Sequence, residues 1–162
     1  MTQQTLGNYR LETTNDGKNS IGRLFFPKES RDAFFQLERS SEEAPFAGFQ
    51  LIKIGNTGSP KLEVTGLCSQ VCEHDLYHIA NQRVEKIFSG AYSSIRVYQG
   101  QYIISGGSGC CAEEVHVFDA PLRLESKPTL IFLINRMKNK CEIDSKTPSK
   151  RARKIAHWLC SL

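Results

Sequence analysis

The sequence lacks a long apolar run, a signal peptide and any motif that defines a reaction. No stretch of about 18 apolar residues occurs, so we expect no helix that crosses a membrane. The start of the chain, MTQQTLGNYRLETTNDG, has neither the basic cluster nor the apolar segment of a secretory signal. We therefore expect a soluble, cytoplasmic protein with reduced thiols at its six cysteines.

Internal repeats and low-complexity tracts are also absent, and the composition is that of an ordinary globular protein. Hydrophobic residues make up 40% of the chain and charged residues 23%, and its 162 residues suit one domain. A domain of this length buries about 68–70% of its unfolded surface. The chain therefore needs neither a metal nor a disulfide to be stable.

The longest helical pattern covers residues 68–88, CSQVCEHDLYHIANQRVEKIF. At about 100° per residue, one face of this helix would carry six apolar side chains: Leu76, Ile79, Ala80, Val84, Ile87 and Phe88. His74 and His78 fall on the opposite side, and Gly90 follows where a left-handed cap forms most easily. The pattern predicts an amphipathic helix on which the rest of the chain packs.

Shorter patterns on either side predict strands, one short helix and a final helix. Ser30 suits the start of the short helix, and Thr147-Pro148 suits the start of the final one. Gln99-Gly100 separates two apolar stretches, as the turn of a tight hairpin does. Strands are predicted at Tyr9 to Thr13, Ile21 to Phe26, Phe49 to Ile54, Leu62 to Val64, and in the runs VHVF and TLIFLIN.

Together these patterns predict an α+β fold. We expect a partly mobile N-terminal segment over 1–20 and a single α+β domain over 21–162. The sheet of this domain would be mainly antiparallel, and the long central helix and a C-terminal helix would pack against it.

Two cysteines and two histidines of the predicted central helix raise the question of a metal site. Cys68, Cys72, His74 and His78 are of the types that zinc accepts as ligands. One helix, however, would point the two pairs in different directions, whereas zinc ligands converge to about 2.0–2.3 Å from the ion. HDLYH lacks the Glu of the zinc metalloprotease motif. We therefore expect no metal and no other cofactor. A bound zinc would need further ligands from Cys110, Cys111 or His116.

The sequence SGGSGCC at 105–111 holds the best candidate for a catalytic cysteine. A nucleophilic cysteine must be exposed, deprotonated and near a base. For Cys111 the candidate base is His116, with Glu113, Glu114 or Asp119 to orient the imidazole. Cys111 and His116 are an odd number of positions apart, so on one strand they would face opposite sides.

Two further arrangements would supply a catalytic thiol. His74 or His78 as the base for Cys111 would avoid the geometric problem. Cys72 would lie in the first turn of the central helix if Ser69 caps it, and there the helix dipole favours a thiolate. A packing role for these cysteines is the simpler interpretation, so we expect that the protein is not an enzyme.

The positive charge of the chain is concentrated near its C-terminus. Residues 136–154 contain eight Lys and Arg against two Asp and Glu, a net charge of +6, which leaves −2 for the rest. Four of the cations lie at the start of the predicted final helix: Lys150, Arg151, Arg153 and Lys154. Such a cluster suits an anionic partner. An acidic protein surface is the preferred partner and nucleic acid the alternative, because no RNA-binding signature or interleaved aromatic residues accompany the cluster.

These observations favour a small soluble, non-catalytic binding protein that docks a macromolecular partner and not a membrane. An inhibitor or a toxin-neutralising immunity-type protein fits this description by analogy. Two alternatives stay open. One is a cysteine-dependent enzyme that uses Cys111 with a histidine base, and the other is a nucleic-acid-binding protein that uses the basic C-terminal helix.

Overall fold

The computed structural model describes residues 1–42, 48–56, 58–107, 111–137, 140–144 and 149–162. Over these residues the chain forms thirteen strands in three antiparallel sheets, and one helix. The contacts divide the chain into two compact units, Met1–Ala91 and Tyr92–Leu162. The predicted α+β fold with a long central helix is wrong, because the described chain is mostly sheet and its one helix is short and C-terminal.

The first unit contains two four-stranded sheets. Thr2–Leu6 (β1), Tyr9–Asn15 (β2), Asn19–Phe25 (β3) and Phe35–Ser40 (β4) form one sheet in the order β1-β2-β3-β4. Gly48–Ile52 (β5), Lys61–Cys68 (β6), Cys72–Ala80 (β7) and Arg83–Ala91 (β8) form the other in the order β5-β6-β7-β8. Each strand pairs with its neighbour in sequence, so both sheets are antiparallel meanders.

Apolar side chains from both sheets form the core of the first unit. Leu11 and Leu24 of one sheet share a buried cluster with Leu51, Leu62 and Ile79 of the other. Alternate residues of a strand point to the same face, so each sheet presents its apolar face to this cluster. Full burial of one such side chain contributes about 1.5–3 kcal/mol, which makes this cluster a principal source of the stability of the unit.

Two further contacts join the sheets of the first unit. The ring of Phe49 lies so close to Gly22 that a Cβ there would be 2.6 Å from Phe49 Cδ1. The side-chain amide of Gln4 donates to the carbonyl oxygen of Leu51 and accepts from its N–H, with both distances 2.7 Å. Gln4 thereby satisfies backbone groups on edge strand β5 that have no strand neighbour.

Residues 68–88 form the end of β6, all of β7 and most of β8, where a central helix was predicted. Asn81 and Gln82 have positive φ angles of 52° and 60° and form the two-residue turn between β7 and β8. Leu76 and Tyr77 are both buried, although neighbours in a strand point to opposite faces. Because β7 is covered on both faces, its apolar residues lack the alternation that identifies a strand from sequence.

Local predictions in the first unit have mixed outcomes. The strands predicted near Tyr9, Ile21, Phe49 and Leu62 are confirmed. The short helix predicted from Ser30 is wrong, because residues 30–34 are irregular and β4 begins at Phe35. Strands β1 and β2 occupy most of the segment 1–20. The partial mobility of that segment and the folding of 21–162 as one domain stay predictions.

The second unit contains a five-stranded sheet and the helix. Ser94–Tyr98 (β9), Gln101–Gly107 (β10), Ala112–Asp119 (β11), Leu130–Met137 (β12) and Lys140–Ile143 (β13) form the sheet in the order β13-β12-β11-β10-β9. The predicted hairpin is confirmed, since Gln99 and Gly100 have φ angles of 49° and 75° and connect β9 to β10.

Helix α1, Lys150–Cys160, packs against the sheet of the second unit. Ile155 and Leu159 are buried in one cluster with strand residues such as Val117. Trp158 is partly buried, and Leu162 is 64% exposed. The predicted helix start at Thr147-Pro148 lies outside the described residues. Within the described part of the chain, no helix has the length and apolar character that a membrane span requires.

The expectation of reduced thiols is wrong for the described cysteines. Disulfides join Cys68 to Cys72 and Cys141 to Cys160, and Cys111 is disulfide-bonded as well. The Cys68–Cys72 bridge closes the irregular end of the β6–β7 pair. The Cys141–Cys160 bridge ties β13 to the last turn of α1.

Candidate functional site

The four basic residues predicted to bind a partner lie on the solvent side of α1. The buried side of the helix consists of Ala152, Ile155, Ala156 and Leu159. At about 100° per residue, four exposed residues centre roughly opposite to that stripe: Lys150, Arg151, Arg153 and Lys154. We call these four residues the basic face. The sequence predicted the cluster, and the structure shows that the fold presents it as one continuous surface.

The charge of the basic face is not offset by its helix. The first turn of α1 contains no acidic residue, although a helix N-terminus favours anions over cations. Ser149 caps the helix, and its hydroxyl accepts a hydrogen bond from the N–H of Ala152 at 3.3 Å. The whole unit Tyr92–Leu162 carries eleven Lys and Arg against six Asp and Glu, a net charge of +5, whereas Met1–Ala91 carries −1.

A pocket of about 410 Å³ opens beside the basic face. It lies between α1 and the β9–β10 hairpin, and we call it the helix–hairpin pocket. Three groups of residues line it: the cations Lys150, Arg151 and Lys154, the amides Gln99 and Gln101, and the apolar side chains of Tyr98 and Ile155. Its volume falls within the range of about 300–1,000 Å³ that is typical of ligand sites.

Two features of the fold hold the walls of this pocket in place. Tyr98 stacks on Trp158 of the helix, with ring centroids 4.5 Å apart. The tight turn at Gln99-Gly100 places Tyr98 opposite Gln101 at the start of β10. The turn and the ring stack therefore hold the hairpin against α1 in the free protein.

Arg151 has intramolecular partners, but they hold it weakly. Its Nη2 atom lies 3.7 Å from Asp119 Oδ1 and 3.5 Å from Thr129 Oγ1. Side-chain exposure is 44% for Arg151 and 65% for Asp119, and exposed ion pairs of this kind contribute about 0–1 kcal/mol. In the described part of the chain, neither Lys150 nor Lys154 forms an ion pair with a carboxylate at 4.0 Å or less. Lys150, Arg151 and Lys154 can therefore bind an external anion at little cost.

The hairpin side of the pocket was not predicted from sequence. Tyr98, Gln99 and Gln101 were expected only to form a hairpin, and Gln101 also donates a hydrogen bond to Asp119 at 2.7 Å. A local sequence pattern carries no information on which helix a hairpin will meet. The charge of residues 150–154 was the only signal that pointed toward this part of the molecule.

The structure does not bring the candidate zinc ligands together. Cys68 and Cys72 are joined in a disulfide, so neither sulfur is a thiolate. His74 and His78 are four positions apart on β7, which separates their Cα atoms by about 13 Å along a strand. Nδ1 of His74 lies 3.1 Å from Thr65 Oγ1. Among the described residues, no group of three or more His, Cys, Asp or Glu is arranged to hold a metal ion.

Cys111 and His116, the candidate catalytic pair, each have other partners. Cys111 is disulfide-bonded, and a disulfide sulfur is not the thiolate that acts as a nucleophile. Nε2 of His116 lies 2.5 Å from Glu114 Oε1, so one of the three acids predicted to orient this histidine does contact it. Glu113 instead forms an ion pair with Arg136 at 2.6 Å. Cys72 is likewise in a disulfide and lies on a strand, not at a helix N-terminus.

The first unit has a polar pocket of its own, which the sequence did not suggest. Its lining includes Arg39, His74 and Asp75, and its volume is about 340 Å³. Asp75 accepts hydrogen bonds from Ser89 at 2.6 Å and from Arg39 at 3.1 Å, and Lys86 lies 3.5 Å away. Burial raises the pKa of Asp75. The hydrogen bonds and positive charges lower it by more than burial raises it, so the pKa lies below its ordinary value of 3.8. The carboxylate is already satisfied by protein groups, so this pocket offers a ligand no free charge at Asp75.

Comparisons with known proteins give no assignment. The chain matches no protein-family model, no curated protein and no solved structure.

Proposed function

We propose that this chain is a small, soluble, non-catalytic binding protein that docks an acidic partner protein through Lys150, Arg151, Arg153 and Lys154. An inhibitor or a toxin-neutralising immunity-type protein would act in this way. The observation that carries the proposal is the position of all four charges on the exposed side of α1. A surface with one sign of charge attracts a complementary partner and raises the association rate.

An acidic protein suits this surface better than a nucleic acid does. Single-stranded nucleic acids are bound by aromatic rings on which bases stack, in addition to cations. Among the described residues, the helix–hairpin pocket beside the basic face is lined by one aromatic ring, that of Tyr98, whereas base stacking along a strand uses a series of rings. Nucleic acid is therefore the alternative partner, which a binding experiment must distinguish from an acidic protein. The cysteine-dependent alternative has no support from the geometry around Cys111.

The disulfides argue against the expected cytoplasmic location. Cytosolic glutathione and thioredoxin keep most thiols reduced, whereas bridges such as Cys141–Cys160 persist in oxidising compartments. The proposed binding role does not depend on the compartment, because Lys and Arg stay charged across the physiological pH range.

Two variants with equal loss of charge test the proposal. In the first, Lys150, Arg151, Arg153 and Lys154 are all replaced with Gln. In the control, Lys28, Arg31, Lys53 and Arg83, which are exposed residues of the first unit, are all replaced with Gln. Binding to an immobilised glutamate-rich peptide is measured for each at low salt. The first variant should bind about tenfold or more weakly than the wild type, since each exposed ion pair is worth about 0.2–1 kcal/mol. The control should bind almost as the wild type does, and equal losses in both variants would contradict a specific role for the basic face.

A further inference from the structure

We infer that the helix–hairpin pocket receives one large apolar side chain of the partner, set between acidic residues of the same segment. This inference rests on the proposed function and deepens it, because it names the kind of peptide segment that the basic face would bind. Two independent observations support it: the chemistry of the pocket lining and the ring stack that joins the two walls.

The lining combines apolar surface with positive charge. Tyr98 and Ile155 contribute the apolar part, and Lys150, Arg151 and Lys154 contribute three positive charges with long aliphatic stems. A free carboxylate or phosphate gains nothing from the apolar part, and a neutral apolar ligand gains nothing from the ammonium and guanidinium groups. An aromatic or aliphatic side chain flanked by Asp or Glu complements both.

The volume and the fixed walls suit a single anchor residue. About 410 Å³ exceeds the space of one side chain and is small for a folded element. Because the Tyr98–Trp158 stack joins hairpin and helix at a 4.5 Å centroid distance, the pocket needs little rearrangement to accept a ligand. Pre-formed pockets that take one aromatic anchor within a charged rim are typical centres of binding energy at protein interfaces.

Arg151 would exchange partners when the acidic segment binds. In the free protein its guanidinium group lies 3.7 Å from the carboxylate of Asp119, and both side chains are exposed. A carboxylate of the partner next to the pocket would replace Asp119 with little net cost. Asp119 would keep its hydrogen bond from Gln101, and its 65% exposed side chain would stay solvated by water.

Two short peptides of equal charge test the inference on the wild-type protein. Both are rich in glutamate, and one has a tryptophan at its centre where the other has a glycine. We expect the tryptophan peptide to bind about tenfold more tightly, because burial of an aromatic ring in a pocket adds favourable transfer free energy. In NMR spectra, only the tryptophan peptide should shift the signals of Tyr98 and of the Ile155 methyl groups.

The outcomes separate this inference from the proposed function. Equal binding of both peptides, abolished in the variant with Gln at 150, 151, 153 and 154, would support the basic face and overturn the anchor. Tryptophan-dependent binding that is unchanged in that variant would overturn the proposed role of the charges. Binding of neither peptide would overturn both. The expected result is tryptophan-dependent binding in the wild type that weakens about tenfold or more in the charge variant.

Discussion

Tyr98 of the β9–β10 hairpin and Trp158 of α1 stack with ring centroids 4.5 Å apart and an interplanar angle of 26°. The hairpin forms the β9 edge of the five-stranded sheet, and α1 packs against that sheet. The stack therefore sets the spacing of the two elements that form the helix–hairpin pocket. The coupling energy between the two rings, which unfolding experiments can measure, therefore reports on the surface proposed to bind a partner.

A double-mutant cycle should measure this coupling. Tyr98→Leu and Trp158→Leu each remove the aromatic contact, so the loss in the double variant should be smaller than the sum of the single losses by about 0.5–1.5 kcal/mol. Urea unfolding gives the free energies. Tyr98→Leu combined with His157→Ala, a change at an exposed helix position, serves as the additive control. A coupling energy near zero would show that the stack does not join the two elements.

The two described disulfides should contribute differently to stability. Cys141–Cys160 closes a loop with a sequence separation of 19, and Cys68–Cys72 closes one of 4. In the chain-entropy model, a loop of roughly 20 residues is worth about 3 kcal/mol, and the short loop should be worth less. Replacing the first pair with Ser should therefore lower the free energy of unfolding more than replacing the second pair. The reverse order of the two losses would contradict this chain-entropy argument. Thiol titration of the unfolded, unreduced wild type should detect at most one free thiol.

Asp75 should make the stability of the first unit depend on acid pH. Its folded-state pKa lies below 3.8, so the ionised form stabilises the fold above about pH 4. This contribution is lost as the pH falls through the folded-state pKa. Asp75→Asn should cost about 1–2 kcal/mol at pH 7, and the difference from the wild type should shrink below about pH 4.

Denaturant unfolding between pH 7 and pH 2 checks this expectation. Asp32→Asn is the matched control, because Asp32 is an exposed acid of the same unit. A difference between Asp75→Asn and wild type that stays constant down to pH 2 would mean that Asp75 is not held ionised by Ser89, Arg39 and Lys86.

The bidentate contact between Gln4 and Leu51 should also be measurable. Gln4→Ala leaves the N–H and the carbonyl group of Leu51 without this side chain, at a cost of about 1–3 kcal/mol. Gln4→Glu keeps an acceptor for the N–H but places a carboxylate against the carbonyl oxygen, so it should not restore stability. Gln3→Ala, next to it on β1 but in contact with Glu12 at an exposed position, should change stability by less than about 0.5 kcal/mol. Equal losses for Gln3→Ala and Gln4→Ala would count against the bridging role.

Sequence patterns predicted the features that depend on nearby residues. Gln99-Gly100 marked a hairpin because the turn itself requires positive φ at those two positions. The charge of residues 150–154 marked the basic face, because helical spacing alone turns such residues away from Ile155 and Leu159.

Features that depend on distant contacts were not predicted. The stretch 68–88 was assigned to a helix because β7 is covered on both faces, so Leu76 and Tyr77 are adjacent and both buried. Asn81-Gln82 is a less distinctive turn sequence than Asn-Gly, and it was not recognised. The pocket between Tyr98 and Ile155 depends on where α1 packs, and the disulfide Cys141–Cys160 depends on the same placement.

Salt titration tests the central claim, that the basic face docks an acidic protein, most directly. Affinities of the wild type and of the variant with Gln at 150, 151, 153 and 154 are measured across a range of salt concentrations. The two ligands are the glutamate-rich tryptophan peptide and a random single-stranded oligonucleotide. We expect the wild type to prefer the peptide, and the variant to lose both affinity and salt dependence for it. Tighter binding of the wild type to the oligonucleotide, with a log–log salt slope that falls by about 0.7 for each charge removed, would contradict the claim and assign the surface to nucleic acid.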